Sequence, residues 1–223
     1  MVDNMLWHTR AFEAFVARHG LPPVTLELRR RIDGKRNREI FPLLFDRDMT
    51  FEEIRAYEEE KEGHYREISR DALQPMAGLI RLLDRCDAHA IPVAVATSAP
   101  ESNVIHTLRE IGLTGRIATI ARGDQVPLGK PAPDVFLYAA SLLGVASAAC
   151  LAFEDAPLGV ASARNAGMMC VAITSSFTPE SFAVSDTPPH ATCTDFDAYL
   201  SEEGAWLLEP AGMAETTSAH TRS

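Results

Sequence analysis

Apolar residues follow two patterns along the chain, and the change comes near residue 88. Before it the spacing is helical. Met5, His8, Phe12, Phe15 and His19 fall on one face of a first helix. In FEEIRAYEEEKEGHYREI the stripe runs Phe51, Ile54, Tyr57, Tyr65 and Ile68, with Lys61 in its gap, four residues from both Tyr57 and Tyr65. Residues 4 to about 88 thus predict helix after helix and no strand. Beyond them short apolar runs alternate with helical stretches. Strands are predicted at IPVAVAT (91–97), RIATIA (116–121), ACLAF (149–153) and MCVAIT (169–174). Helices are predicted between them at SNVIHTLREIGL (102–113), PDVFLYAASLLG (133–144) and PLGVASARNAG (157–167). Such alternation predicts an α/β fold, a parallel sheet with helices on its faces. Nearly all-apolar strands suit a sheet covered on both sides. From Glu202 the chain turns to Gly, Ala, Ser and Thr with little periodicity, which predicts a frayed tail.

A length of 223 residues suits one large domain, or a core with a smaller insert. The formal net charge of −10 disfavours a nucleic-acid partner but leaves room for a local basic pocket that binds an anionic metabolite. No apolar run approaches the roughly 18 residues of a membrane span, and no signal-peptide pattern opens the sequence. Cys86, Cys150, Cys170 and Cys193 show no CxxC spacing. Cys150 and Cys170 sit in strand-like runs, where buried free thiols are expected. A reduced, cytoplasmic setting is the expectation.

In open parallel sheets, ligands bind beyond the carboxyl ends of the strands. Thr97 and Ser98 follow the first predicted strand, and Glu154 and Asp155 follow ACLAF just ahead of Pro157. GKPAPDVF places Lys130 before a proline-started helix. Taken singly, these are a strand-end cap, an acidic pair favouring a helix dipole and a solvated lysine. Together, a hydroxyl, a lysine and two carboxylates at one sheet edge make a site for a phosphoryl group and Mg²⁺. The carboxylates would bind the metal, the lysine would neutralise phosphoryl charge, and the hydroxyl would donate to an oxygen.

TSAPESNV, GKPAPDVF and FEDAPLGVASARNAGM resemble motifs two, three and four of the haloacid dehalogenase superfamily. The branch they are most similar to is the phosphatase and β-phosphoglucomutase-like group with a helical cap. The likeness runs from about Asp3 to Phe196. It implies a Rossmann-like three-layer core, with the helical first half as a mobile cap inserted after the first core strand. Residues 1–8 would lead into the cap, 9–78 form it, 79–200 make the core and 201–223 the tail. The resemblance also implies that Thr97 and Lys130, with Ser98 beside them, meet the substrate phosphate. Asp155 would coordinate Mg²⁺ with Glu154 next to it.

The family's nucleophile is the first aspartate of DxDG[TV], at the end of the central strand. LLFDRDMT offers the spacing in Asp46 and Asp48, but Pro42 cannot donate to a central ladder, and no glycine follows Asp48 to make the turn. The segment lies between two helical stretches, the second capped by Thr50, so an exposed inter-helix loop is predicted. MVDNMLWHTRAFEAFVARHG resembles the stretch that follows DxDG[TV], with Asp3 and His8 on its acidic and histidine positions. The expectation is that residues 1–223 lack the nucleophile, its acid/base partner and the central strand, and do not turn over phosphate esters.

In the cap, Lys61 is either a lysine snorkelling at the margin of its face or a cation directed into the cleft to grip substrate, which the resemblance favours. His8 is either a core or hinge residue or a catalyst. RIDGKRNREIF resembles the loop that selects substrate, making Lys35 and Asn37 candidate contacts. The mutase branch has an arginine where Asn37 stands, and losing that bidentate donor weakens a mutase reading. The leading expectation is a monomeric, Mg²⁺-dependent phosphatase of a small phosphorylated metabolite such as a sugar phosphate, acting through a phosphoaspartyl intermediate. The alternatives are a hexose-phosphate mutase and an inactive protein that binds a phosphorylated ligand. Cap-loop side chains, not the fold, decide the metabolite.

Overall fold

The structure, a computed structural model, describes residues 1–183 and 186–201. Its first part is helical: α1 (Met5–Arg18), α2 (Leu26–Ile32), α3 (Asn37–Phe45) and α4 (Phe51–Ile68). Phe12, Phe15, Ile32, Ile40, Phe41 and Leu44 bury one another in a cluster of their own. Pro42 lies inside α3, which ends on Asp46 in the left-handed region, φ 49°. A capping box then starts α4: Glu53 N–H donates to Thr50 Oγ1 at 3.2 Å, and Thr50 N–H to Glu53 Oε2 at 2.8 Å.

One expectation for this half needs correcting. Phe51 is 73% exposed, because the Cβ of a first helical residue points back past the end of the packed face. Of the two readings of Lys61, the one at the margin of its face does not hold, since the residue lies inside, 2% exposed.

The second part runs α5 (Leu79–Ala88), β1 (Ala94–Thr97), α6 (Glu101–Glu110), β2 (Thr119–Arg122), α7 (Asp134–Leu143), β3 (Leu151–Glu154), α8 (Pro157–Asn165), β4 (Met169–Ile173), α9 (Pro179–Ala183), β5 (Ala191–Cys193) and α10 (Phe196–Ser201). Strand β4 shows how the layers form. Val171 and Ile173 face a cluster with Leu82 of α5 and Leu108 of α6, while Cys170 and Ala172 face one with Val135 of α7 and Val160 of α8. An all-apolar strand is therefore what a sheet between two helical layers requires. Cys150 departs from the expectation: it precedes β3 and is only partly buried. The predicted tail from Glu202 lies outside the described residues, among which no helix is long and apolar enough to cross a membrane.

All described pairings are parallel, in two pieces. Strand β1 pairs with β2, Ala94 opposite Thr119 and Thr97 opposite Arg122. Strand β4 sits between β3 and β5, Leu151 opposite Met169 and Ile173 opposite Cys193. Among the described residues, no ladder joins β1 to β3. A cavity of about 640 Å³ separates them, walled by both strands and by apolar residues such as Leu83, Val104 and Phe136.

Candidate active site

The polar end of the cavity gathers residues from three connections. Thr97 ends β1 and accepts the Ala99 N–H on its hydroxyl at 3.0 Å. Glu154 ends β3, and Asp155 precedes α8, whose first residue is Pro157. Lys130 comes in ahead of α7 and pairs its Nζ with Glu154 Oε1, with the Phe136 ring centroid 5.1 Å away. Thr97, Lys130, Glu154 and Asp155 all line this one cavity. Gly159 makes room for them, since a Cβ there would collide with the Glu154 carboxylate.

Charge at this edge is held against resistance. Burial pushes the Glu154 carboxyl up, Lys130 opposes that, and neighbouring Asp155 adds to the rise. The Met1 amino group lies close enough to feel both carboxylates. Burial lowers its pKa, more strongly than Asp155, Glu154 and Asp3 raise it.

Mg²⁺ is the metal this donor set suits. Among the described residues no three His, Cys, Asp or Glu side chains cluster to hold a metal unaided. Two adjacent carboxylates do fit a hard cation that takes one or two protein oxygens and completes its shell with water and phosphate. A cation nearby would also offset the burial and the Asp155 charge that raise Glu154.

The cap side is built differently. Lys61 donates to Glu62 Oε1 at 2.9 Å and to His8 Nδ1 at 3.2 Å, and its Nζ lies 4.2 Å from the Phe12 ring centroid. Glu62 also accepts Asn37 Nδ2 on Oε1 at 2.8 Å and Asn103 Nδ2 of α6 on Oε2 at 2.6 Å. Burial opposes the Glu62 charge, but Lys61, His8 and Asn37 outweigh it and hold the carboxyl down to about 2. His8 stacks flat on Tyr65, ring centroids 3.9 Å apart. Burial first, and Lys61 second, lower His8 to about 3, so its ring is neutral and accepts from Lys61 on Nδ1. Buried Asp33 lies between the two sides. It pairs with Arg29 at 2.8 Å and feels both Asp155 and Lys61.

Other contacts fasten the cap to the core. Arg36 donates to the carbonyls of Gly123, Val126 and Pro127 at 3.1–3.3 Å, and Ser98 Oγ donates to Gly34 O at 2.7 Å. The Ser98 hydroxyl is therefore committed to the cap backbone. Asn37 is buried against Glu62, and Lys35 is partly buried near Glu39, whose carboxyl it helps lower. Asp46 and Asp48 stand exposed in the loop between α3 and α4, apart from the cavity lining.

Sequence reading did not single out Glu62, Asn103, Asp33 or Arg36. A signal existed for Glu62 alone: it lies three residues before Tyr65, on the apolar stripe of α4. The other three owe their positions to contacts between distant segments.

The sequence pattern of the haloacid dehalogenase-like hydrolases matches residues 1–173. A phosphorylated carbohydrates phosphatase of Thermotoga maritima is 29% identical over 171 residues, covering 75% of this chain and 79% of that protein. Protein CbbY of Rhodobacter capsulatus is 42% identical over 106 residues, 46% of this chain and 47% of that protein, so the match spans about half of that relative. Among solved structures, a family IA, variant 3 HAD hydrolase from Entamoeba histolytica shares the fold with a TM-score of 0.81 at 25% identity, covering 94% of this chain and 95% of that one. With the motif residues gathered at one end of a parallel α/β core beneath a helical half, the chain belongs to the haloacid dehalogenase-like hydrolase family.

Proposed function

We propose that this chain provides the phosphate and metal site of a Mg²⁺-dependent phosphatase for a small phosphorylated metabolite such as a sugar phosphate. One observation carries the reading: Thr97, Lys130, Glu154 and Asp155, from three separate connections, line one cavity. Lys130 would neutralise phosphoryl charge, and the Thr97 hydroxyl would donate to a phosphoryl oxygen. Asp155, with Glu154 beside it, would hold Mg²⁺. When bound, the metal supplies charge neutralisation on the phosphate oxygens. The relatives' names point the same way, the Thermotoga maritima protein being called a phosphorylated carbohydrates phosphatase.

Among the described residues, none of the candidate aspartates has the surroundings of the attacking group. Asp46 and Asp48 are exposed loop residues, and Asp3 is exposed with no strand before it. In our reading, the nucleophile and its acid/base partner enter on an extended apolar segment that fills the gap between β1 and β3. The open parallel edges and the apolar cavity walls support this placement. Residues 1–223 alone would then bind a phosphorylated ligand without turning it over. A mutase is less favoured, since Arg36 is committed to backbone carbonyls and Asn37 to Glu62.

Phosphate release from a panel of sugar phosphates, with and without Mg²⁺, tests the reading. Residues 1–223 are compared with the same chain preceded by an apolar strand ending in DxDG[TV]. Turnover is expected only from the extended chain with metal. No turnover from either chain would overturn the phosphatase reading. Turnover by residues 1–223 that Asp46→Asn abolishes, with the fold intact, would return the catalytic role to LLFDRDMT.

A further inference from the structure

Several cations of the cap meet a carboxylate before they can meet a ligand. Arg29 pairs with Asp33, Arg36 with Glu39 and Lys61 with Glu62, while Lys35 lies near Glu39. Lys61 is the telling case. Its three protons face Glu62 Oε1, the His8 ring nitrogen and the face of Phe12, so none is left to donate to a phosphate. Glu62, 3% exposed, receives Asn37 and Asn103 as well as Lys61. Asn103 also lines the cavity that holds Thr97, Lys130, Glu154 and Asp155, so this cluster borders the phosphoryl site. A second phosphate reaching the cap would find amides, a neutral imidazole and paired charges, with the Glu58 carboxyl close to Asn37 and Glu62. Hydroxyl groups suit that lining, because the Asn4 and Asn103 amides both donate and accept.

We propose that Glu62 is a specificity-determining residue: by cancelling the Lys61 charge it selects a monophosphate ester with an uncharged, hydroxyl-bearing body and rejects esters with a second phosphate. This inference rests on the phosphatase reading above and names the substrate class of that same site. It assigns Lys61 a structural partner in place of a substrate phosphate.

The test is calorimetric titration of residues 1–223, in Mg²⁺, with fructose 6-phosphate and fructose 1,6-bisphosphate as matched probes. Wild type is expected to prefer the monophosphate by about fivefold to tenfold, the scale of one unit-charge contact in a water-like dielectric. Glu62→Gln, which frees Lys61, is expected to move that ratio about tenfold or more toward the bisphosphate. Lys61→Met combined with Glu62→Gln removes both charges and keeps the inference testable if the single variant fails to fold. The double variant is expected to keep the wild-type preference between the two esters. A wild-type preference for the bisphosphate, an unchanged ratio in folded Glu62→Gln, or a ratio shifted toward the bisphosphate in the folded double variant would overturn this inference alone. Binding of neither ester by wild type would overturn it together with the phosphatase reading.

Discussion

Two buried lysine–glutamate pairs, one at the core site and one in the helical half, reach opposite electrostatic outcomes. In the core, Lys130 meets Glu154, yet burial and the adjacent Asp155 still drive the glutamate up. In the cap, Lys61 meets Glu62, and with His8 and two amide donors nearby the glutamate is held at about 2. The lysine alone therefore decides neither case. The neighbours do: a like charge leaves the core pair short of positive charge, whereas amide donors complete the cap pair. One glutamate is left opposed, and the other is held charged.

The contrast is broken most directly by swapping each carboxylate for its neutral isostere. Glu62→Gln leaves Lys61 buried without an anion and should cost about 3–5 kcal/mol in urea unfolding. Glu154→Gln, at a site where the charge is already opposed, should cost about 1–3 kcal/mol. Equal losses would show that the two pairs are energetically alike.

Acid should act on the cap next. His8 and Glu62 both bind protons less readily folded than unfolded, at about 3 against 6.5 and about 2 against 4.5. Their stabilisation is complete above the unfolded values and is lost as pH falls, from 6.5 toward 3 for His8 and from 4.5 toward 2 for Glu62. Denaturation midpoints should therefore fall on acidification below pH 6.5, first through His8. A midpoint that rises over that span contradicts the assignment.

On the core side, Asp155→Asn should weaken Mg²⁺ by about tenfold or more, about 1.4 kcal/mol, since it removes an anionic ligand from a hard cation. Calorimetry with the metal alone reads this, and unchanged affinity would place the metal elsewhere. The smallest effect belongs to Asp46→Asn, expected to leave stability within about 0.5 kcal/mol and Mg²⁺ affinity unaltered.

The core site was legible because each part is carried by a local motif: Thr97 closes a strand, Lys130 precedes a proline-started helix, and Glu154 and Asp155 close another strand ahead of Pro157. Alternating periodicity then fixes which edge they share. The cap was legible as helices but not as chemistry. Lys61 reads as marginal on its own stripe, and it is interior only because His8, Phe12, Asn37 and Asn103, up to 53 residues away, converge on it and Glu62. Strand β5 escaped notice for a simpler reason: three residues, Ala191–Cys193, after a proline pair make too short a run to show a period.

The contact between Arg36 and the loop after β2 has a consequence for how this protein can change. Its acceptors there are main-chain oxygens of Gly123, Val126 and Pro127, which every amino acid carries alike. Most side chains of that loop can thus be replaced without removing an acceptor, so the cap keeps its grip while the loop's surface chemistry drifts. Tolerance ends at the donor side, at core residue Val126, at Gly123 beside Arg36 and Ser98, and at Gly129, where a side chain would run into Arg36 and Glu39. A saturation library across residues 123–129 should therefore be permissive at exposed Asp124, Gln125, Pro127 and Leu128, and restrictive at Gly123, buried Val126 and Gly129.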